Sequence, residues 1–148
     1  MALKEHYSNL NELKADVMHE MRDILHEKGW IKGALYRTDS IHGPADGSGK
    51  GDGVCFMGAL NAAIAGDPHY CNRKSKHNSL YDTLPFQRRY AHDQIVKEFK
   101  KHLEEMFGSF QTIERWNDFS NRTEEEVEKA IMQMADYYET RYLEGLQS

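Results

Sequence analysis

The chain has 148 residues, of which 39% are hydrophobic and 11% aromatic, and its formal net charge at pH 7 is −5. This composition excludes an intrinsically disordered chain and a general polyanion-binding protein, and the length suits one domain with its own hydrophobic core. We therefore expect a single folded domain over residues 1–148, with loop insertions at about 40–53 and 70–85.

The sequence contains no obvious targeting or membrane segment. The first residues hold no apolar run of signal-peptide length, and the apolar stretch 54–65 is too short to span a bilayer. We expect a cytoplasmic protein with no membrane partner. In that reducing compartment, Cys55 and Cys71 should both be free thiols.

Apolar spacing predicts a first helix that starts near residue 10. Ser8 or Asn11 can cap its start, and Gly29 can take the left-handed position at its end. The segment 30–36 that follows is short and apolar, and it is a strand or a packed extended segment. The stripe that defines the helix consists of Leu10, Leu13, Val17, Met21, Ile24 and Leu25.

A second helix is predicted after a glycine-rich loop. Residues 43–53 contain five glycines and a proline, which predicts a mobile loop. Asp52 can cap a helix over 54–65 that is apolar nearly all the way round, as is typical of a central helix buried on most sides. Gly66 and Pro68 should end it.

Two more long helices complete the predicted fold. One ends at Gly108; a short turn follows at 112–116, and a capping box at Thr123 opens the last helix. The fold class is therefore mainly α, a compact domain of about four main helices with room for a small β element near 30–36. The two apolar stripes are Phe86, Tyr90, Ile95, Phe99, Leu103, Met106 and Phe107, then Val127, Ala130, Ile131, Met134, Tyr138 and Tyr142.

The stretch GKGDGVCFMGAL does not match a known phosphate or calcium loop. A Walker loop needs Ser or Thr after Gly-Lys, and here Gly51 follows Lys50 with no clear strand before it. In a calcium loop that began at Asp46, Lys50 would occupy the place of an oxygen ligand. We interpret the stretch as a loop that leads into a core helix.

Cys55 is the one candidate nucleophile. A thiol in the first turn of a helix can have a lowered pKa. A cysteine hydrolase or transferase would also need a base, His92 or His77, and an orienting group, Asn117 or Asp118. The apolar residues after Cys55 favour structural packing instead.

His69, Cys71 and His77 lie in one loop and are ligand types that zinc accepts. Their spacing is not that of a standard zinc site, and the polar residues around them suit an exposed loop. We predict no metal and no cofactor.

Two groups of residues are candidates for ligand binding. The acidic total argues against nucleic acid as the partner, so the basic group points to a small anionic ligand. The second group is Trp116, Asn117 and Asp118. These residues could form a polar site next to an aromatic wall, although a structural role at the turn into the last helix is favoured. The basic candidates are Arg73, Lys74, Lys76, Arg88 and Arg89.

Several short motifs occur together in a fixed order. They are Gly29-Trp30 followed by Gly33-Ala34, Cys55-x-x-Gly58-Ala59-Leu60, Trp116-Asn117-Asp118, and Arg122-Thr123-x-Glu125-Glu126-Val127. Over nearly the whole chain, this order resembles a family of short bacterial and phage-encoded proteins classed as a domain of unknown function. The resemblance implies one small domain and no particular reaction, and a phage-encoded member would act in the host cytoplasm.

We expect a non-enzymatic accessory binding protein, phage-encoded, that captures a host protein or sequesters a small, nucleotide-like ligand. The two insertions are the expected binding regions, since loops on a rigid scaffold commonly carry function. A homo-oligomer could build such a pocket. The alternative is a cysteine-dependent hydrolase or transferase that uses Cys55, His92 and Asn117.

Overall fold

The structure, a computed structural model, describes residues 3–32, 53–108 and 112–147. The described residues are mainly helical, which confirms the predicted fold class. The four main helices are long, and two short helices join them. In chain order the helices are α1 Leu10–Lys28, α2 Phe56–Ala65, α3 Ser79–Thr83, α4 Phe86–Phe107, α5 Ile113–Asp118 and α6 Glu124–Gln147.

Side-chain caps fix where the first and last helices begin. The Asn9 side chain accepts hydrogen bonds from the backbone N–H of Asn11 and Glu12, so Asn9 is the N-cap in place of the predicted Ser8 or Asn11. Its extended backbone is the conformation that an N-cap requires. At α6 the predicted capping box is confirmed, because Thr123 and Glu126 each accept a hydrogen bond from the other's backbone N–H.

The start of α2 differs from the prediction. The helix begins at Phe56, and the Cys55 sulfur caps it by accepting from the Gly58 N–H at 3.3 Å. Val54 cannot be helical because its backbone forms a parallel β-bridge with Trp30. The predicted cap, Asp52, lies outside the described residues.

The β-bridge joins the end of α1 to the entrance of α2. Ile31 N–H donates to Val54 O at 3.0 Å, and Val54 N–H donates to Gly29 O at 2.8 Å. Gly53 allows this approach, since a Cβ there would lie 2.3 Å from the Ile31 Cγ2 atom. In the described part of 30–36, the expected β element is this one bridge.

α2 is buried on most sides, as its apolar sequence predicts. Its Phe56 ring stacks on Phe99 of α4 with centroids 4.1 Å apart, and Trp116 of α5 meets both rings edge-on. All three side chains are fully buried. α2 also packs against α1, which in turn lies along α6. Burial of these large aromatic surfaces is a main source of stability.

The apolar stripe predicted for α4 is buried only in its middle. Ile95, Phe99 and Leu103 are in the core, whereas both ends of the stripe are exposed. Phe86, in the first turn of α4, is 70% exposed. The other exposed members are Tyr90, Met106 and Phe107.

The two predicted insertions have different outcomes. Most of the first, 40–53, lies outside the described residues. The second, 70–85, is described and contains the short helix α3, which the sequence analysis does not predict. Asn78 caps α3 by accepting from the Tyr81 N–H.

Candidate functional site

Asn117 joins three elements at the entrance of α2. Its Oδ1 atom accepts from Trp30 Nε1 at 2.7 Å and from Phe56 N at 3.0 Å, while its Nδ2 donates to Ile31 O and Asp118 Oδ1. The amide has two acceptor and two donor positions, and protein atoms fill all four. This geometry favours the structural role of Asn117 over the ligand-binding one.

The neighbours of Asn117 also have structural contacts. Trp116 is fully buried, and the Arg122 guanidinium lies 4.8 Å from its ring while Arg122 Nε donates to Trp116 O. Asp118 is exposed and accepts from Asn117. These contacts of Trp116, Asn117 and Asp118 hold α5 against the core.

Cys55 is buried and acts as a helix cap. Burial raises the pKa of its thiol, and the charges of Asp118 and Glu114 add to this, against the opposing hydrogen bonds from the backbone of Gly58 and Met57. A nucleophilic cysteine needs the opposite shift. The N-terminal position that could activate this thiol is outweighed by its desolvation.

His92, the candidate base, forms its hydrogen bond with Asn61. Its Nε2 atom pairs with Asn61 Oδ1 at 2.8 Å, and burial lowers the pKa of the imidazole to about 4. His77, the other candidate base, is exposed. Within the described residues no hydrogen bond joins either imidazole to Cys55, so the cysteine-dependent mechanism stays a prediction that this geometry does not support.

The basic loop, residues 67–78, is held in one shape by two asparagines. Asn72 Nδ2 donates to Arg89 O and to Asp93 Oδ1, both at 2.9 Å, which fastens the loop to α4. Asn78 Nδ2 donates to the carbonyls of Cys71 and Arg73 and closes the loop on itself. Asparagines in a polar segment are typical of such local bracing, but the sequence alone does not mark these two for it.

Tyr70 forms the floor of the basic loop. Its side chain is buried, and its hydroxyl donates a short hydrogen bond to Asn72 Oδ1. Burial raises the pKa of Tyr70 to about 12, so the hydroxyl remains a donor at neutral pH. Tyr70 therefore holds the loop against the core, in addition to the hydrogen bonds of Asn72 and Asn78.

A cleft of about 460 Å³ opens on this loop, and cationic side chains line it. Arg73 and Lys74 are in its wall, and Lys76 lies in the same turn; all three are exposed. None of them forms an ion pair with another residue in the described ranges. One carboxylate, that of Asp67, also lines the cleft, and it accepts from the backbone N–H of His69.

The two remaining basic candidates have different positions. Arg88 donates to the carbonyls of Ile64 and Lys4, so it ties the N-terminal segment to the end of α2. Arg89 lies beside the basic loop, with its guanidinium 4.6 Å from the Tyr81 ring. The structure thus groups Arg89 with the basic loop and gives Arg88 a structural contact.

His69, Cys71 and His77 all line the same cleft. Across residues 3–32, 53–108 and 112–147, no three His, Cys, Asp or Glu side chains are placed to hold a metal ion. The three residues are therefore part of the cleft wall in this geometry.

A second groove, of about 770 Å³, lies between α4 and α6. Its two walls come from distant parts of the chain, so the sequence alone does not point to it. Carboxylates outnumber cations along it, and its charged lining includes Glu98, Lys101, Glu105, Asp136 and Arg141. The net charge along this groove is therefore negative, opposite in sign to the cations of the basic cleft.

The chain matches the model of a known protein family. The model of a family of unknown function, DUF6197, matches residues 11–137. No curated protein and no solved structure matches the chain. Among the described helices, none has the length and apolarity to cross a membrane. The chain belongs to DUF6197, a family of unknown function.

Proposed function

We propose that the protein is a non-enzymatic binding protein that holds a small anionic ligand in the cleft of the basic loop. The observation that carries this proposal is the set of exposed cations at Arg73, Lys74 and Lys76, which form no ion pair with the described residues, on a loop braced by hydrogen bonds. The net charge of the whole chain is −5, so a positive cleft is a local departure from the overall charge.

The fixed shape of the loop favours binding. Ordering a flexible loop around a ligand costs conformational entropy, and the hydrogen bonds of Asn72 and Asn78 meet part of that cost before the ligand arrives. Arg and Lys side chains recognise phosphate and carboxylate groups by charge-assisted hydrogen bonds. The cleft volume of about 460 Å³ is in the range of small-molecule sites.

Titration calorimetry with inorganic tripolyphosphate tests the proposal. We expect saturable binding that weakens as salt is added, and the variant Arg73→Glu/Lys74→Glu/Lys76→Glu should lose at least about tenfold in affinity. A matched control makes the same charge change at Lys97, Lys100 and Lys129, three exposed lysines on α4 and α6. Its affinity should fall much less.

Two results would overturn the proposal. One is the absence of binding by the wild-type protein at millimolar tripolyphosphate. The other is an equal loss of affinity in both triple variants, which would mean that the anion responds to overall charge and not to the cleft.

A further inference from the structure

The first turns of α4 carry an exposed pair of aromatic rings. Phe86 is 70% exposed and Tyr90 is 43% exposed. Their rings are stacked, with centroids 6.0 Å apart and planes at 20°. We call this pair the aromatic platform. Single exposed apolar residues are ordinary, but a stacked pair offers a flat apolar surface that a planar ligand can cover.

Arg89 supports the platform from one side. Its guanidinium lies 5.8 Å from the Phe86 ring and 4.6 Å from the Tyr81 ring. The Arg89 Nε atom is buried and has no hydrogen-bond partner within the described residues. The cation therefore packs among aromatic rings, which restrains the orientation of Phe86.

The platform and the basic loop meet on one face of α4. Phe86, Tyr90 and Asp93 follow i, i+4, i+7 spacing, so their side chains share a helix face. Asn72 of the basic loop donates to Asp93 Oδ1 on that face and to Arg89 O. Arg73 is the next residue, about 3.8 Å further along the chain. Asn72 thus fastens the basic loop against the face of α4 that carries the platform.

We infer that the ligand of the basic cleft is a nucleotide, whose base stacks on the aromatic platform while its phosphates bind Arg73, Lys74 and Lys76. The inference rests on the proposed function and adds the chemical class of the ligand. A flat apolar surface on the helix face that holds the basic loop, together with cations that have no ion-pair partner among the described residues, matches a molecule with a planar ring at one end and phosphates at the other.

Asp93 adds a feature that suits the middle of such a ligand. It is exposed, and one of its carboxylate oxygens accepts from Asn72. The second oxygen accepts no hydrogen bond from a described residue and can accept one from a ribose hydroxyl or an exocyclic amine. A single nucleotide fits better than a long nucleic acid, since the net charge of −5 repels an extended polyanion.

The test compares the four common ribonucleoside triphosphates with inorganic tripolyphosphate by calorimetry at fixed salt. We expect at least one nucleotide to bind the wild-type protein about fivefold or more tighter than tripolyphosphate, the gain that stacking of a base on an aromatic side chain typically gives. The variant Phe86→Ala/Tyr90→Ala should bind that nucleotide no better than tripolyphosphate. Its affinity for tripolyphosphate should equal that of the wild type.

The control variant Phe107→Ala/Tyr137→Ala also removes one exposed Phe and one exposed Tyr, and Phe107 is about 30 Å from Phe86 along α4. It should retain the preference for the nucleotide. If Phe86→Ala/Tyr90→Ala does not fold by circular dichroism, Phe86→Leu/Tyr90→Leu keeps the apolar surface and removes the rings.

The outcomes separate the two proposals. Equal affinity of the wild-type protein for tripolyphosphate and every nucleotide would overturn the inference and leave the anion site in place. A nucleotide preference that survives loss of both rings would overturn it as well. Binding of neither ligand class would overturn the proposed function, and the inference with it.

Discussion

The two thiols of the chain differ sharply in exposure. Cys55 is 5% exposed and caps α2 with its sulfur, whereas Cys71 is exposed in the wall of the basic cleft. Burial raises the pKa of the Cys55 thiol, and only the thiolate reacts quickly with alkylating reagents. His92 and Asn117, which would make Cys55 a catalyst, are bound to other partners, so the chemistry of Cys55 should be that of a packed side chain.

We predict that iodoacetamide labels one thiol of the native protein near neutral pH and the second only after denaturation. Intact-mass measurement over time gives the count directly. The variant Cys71→Ser should take up no label while folded, which assigns the fast site. Rapid, stoichiometric labelling of Cys55 in folded Cys71→Ser would contradict this prediction and return the cysteine-dependent mechanism to consideration.

At the scale of the helices, the junction at Asn117 connects elements that are far apart in the sequence. Its amide satisfies the Trp30 indole after α1 and the first N–H of α2, and it holds the Ile31 carbonyl. Loss of this side chain would leave one buried donor, the Phe56 N–H, and one partly buried donor, the Trp30 indole, without this acceptor. An unsatisfied buried donor costs about 1–3 kcal/mol.

We predict that Asn117→Ala lowers the free energy of unfolding by about 2–4 kcal/mol. Urea denaturation followed by circular dichroism measures this as a shift of the midpoint. Asn121→Ala serves as the control, because Asn121 is exposed in the turn before α6 and should change stability by less than about 0.5 kcal/mol. Similar losses in both variants would show that Asn117 does not have the role described.

Local signals account for the parts of the fold that the sequence predicts. Apolar spacing and the caps at Gly29 and Thr123 depend on neighbouring residues, so α1 and α6 could be placed from sequence. The start of α2 could not, since Val54 pairs with Trp30 across the glycine-rich loop. The extent of the α4 core face depends on which of its turns other helices cover, and a periodic stripe does not encode that.

The candidate site, too, could be predicted from the sequence only in part. Its cations are visible in the sequence as a basic run, and their placement in an exposed loop is as expected. The bracing is not visible, because Asn72 finds its partners at Arg89 and Asp93 of a different helix. Nor does the sequence reveal that Phe86 and Tyr90 are exposed and stacked on each other.

At the scale of the whole molecule, one buried histidine links α4, α2 and the basic loop. Asn61 Nδ2 donates to Pro68 O at 2.9 Å, which fixes the amide so that its Oδ1 faces His92 Nε2. His92 Nε2 must therefore carry the hydrogen, and Nδ1 is the bare nitrogen, buried without a hydrogen-bond partner within the described residues. Tyr70 packs edge-on against the imidazole, with centroids 5.8 Å apart.

Protonation at Nδ1 would place an unpaired charge in this environment. Burial lowers the pKa of His92 to about 4, against a smaller opposing effect of the Asp93 charge, whereas an unfolded histidine titrates near about 6.5. Because the folded pKa is the lower one, the unfolded state binds the proton more readily. The stability that neutral His92 contributes is complete above about pH 6.5 and is lost as the pH falls towards about 4.

We predict that the free energy of unfolding falls by about 2 kcal/mol between about pH 7.5 and about pH 5 through this one group. Urea titrations at both pH values, followed by tryptophan fluorescence and circular dichroism, measure the change. The variant His92→Gln keeps an amide donor near the position of Nε2 and cannot be protonated. Between the two pH values its free energy of unfolding should therefore fall by about 2 kcal/mol less than that of the wild-type protein. An equal pH dependence in the wild-type protein and His92→Gln would assign the acid sensitivity to other groups and contradict the neutral, buried state of His92.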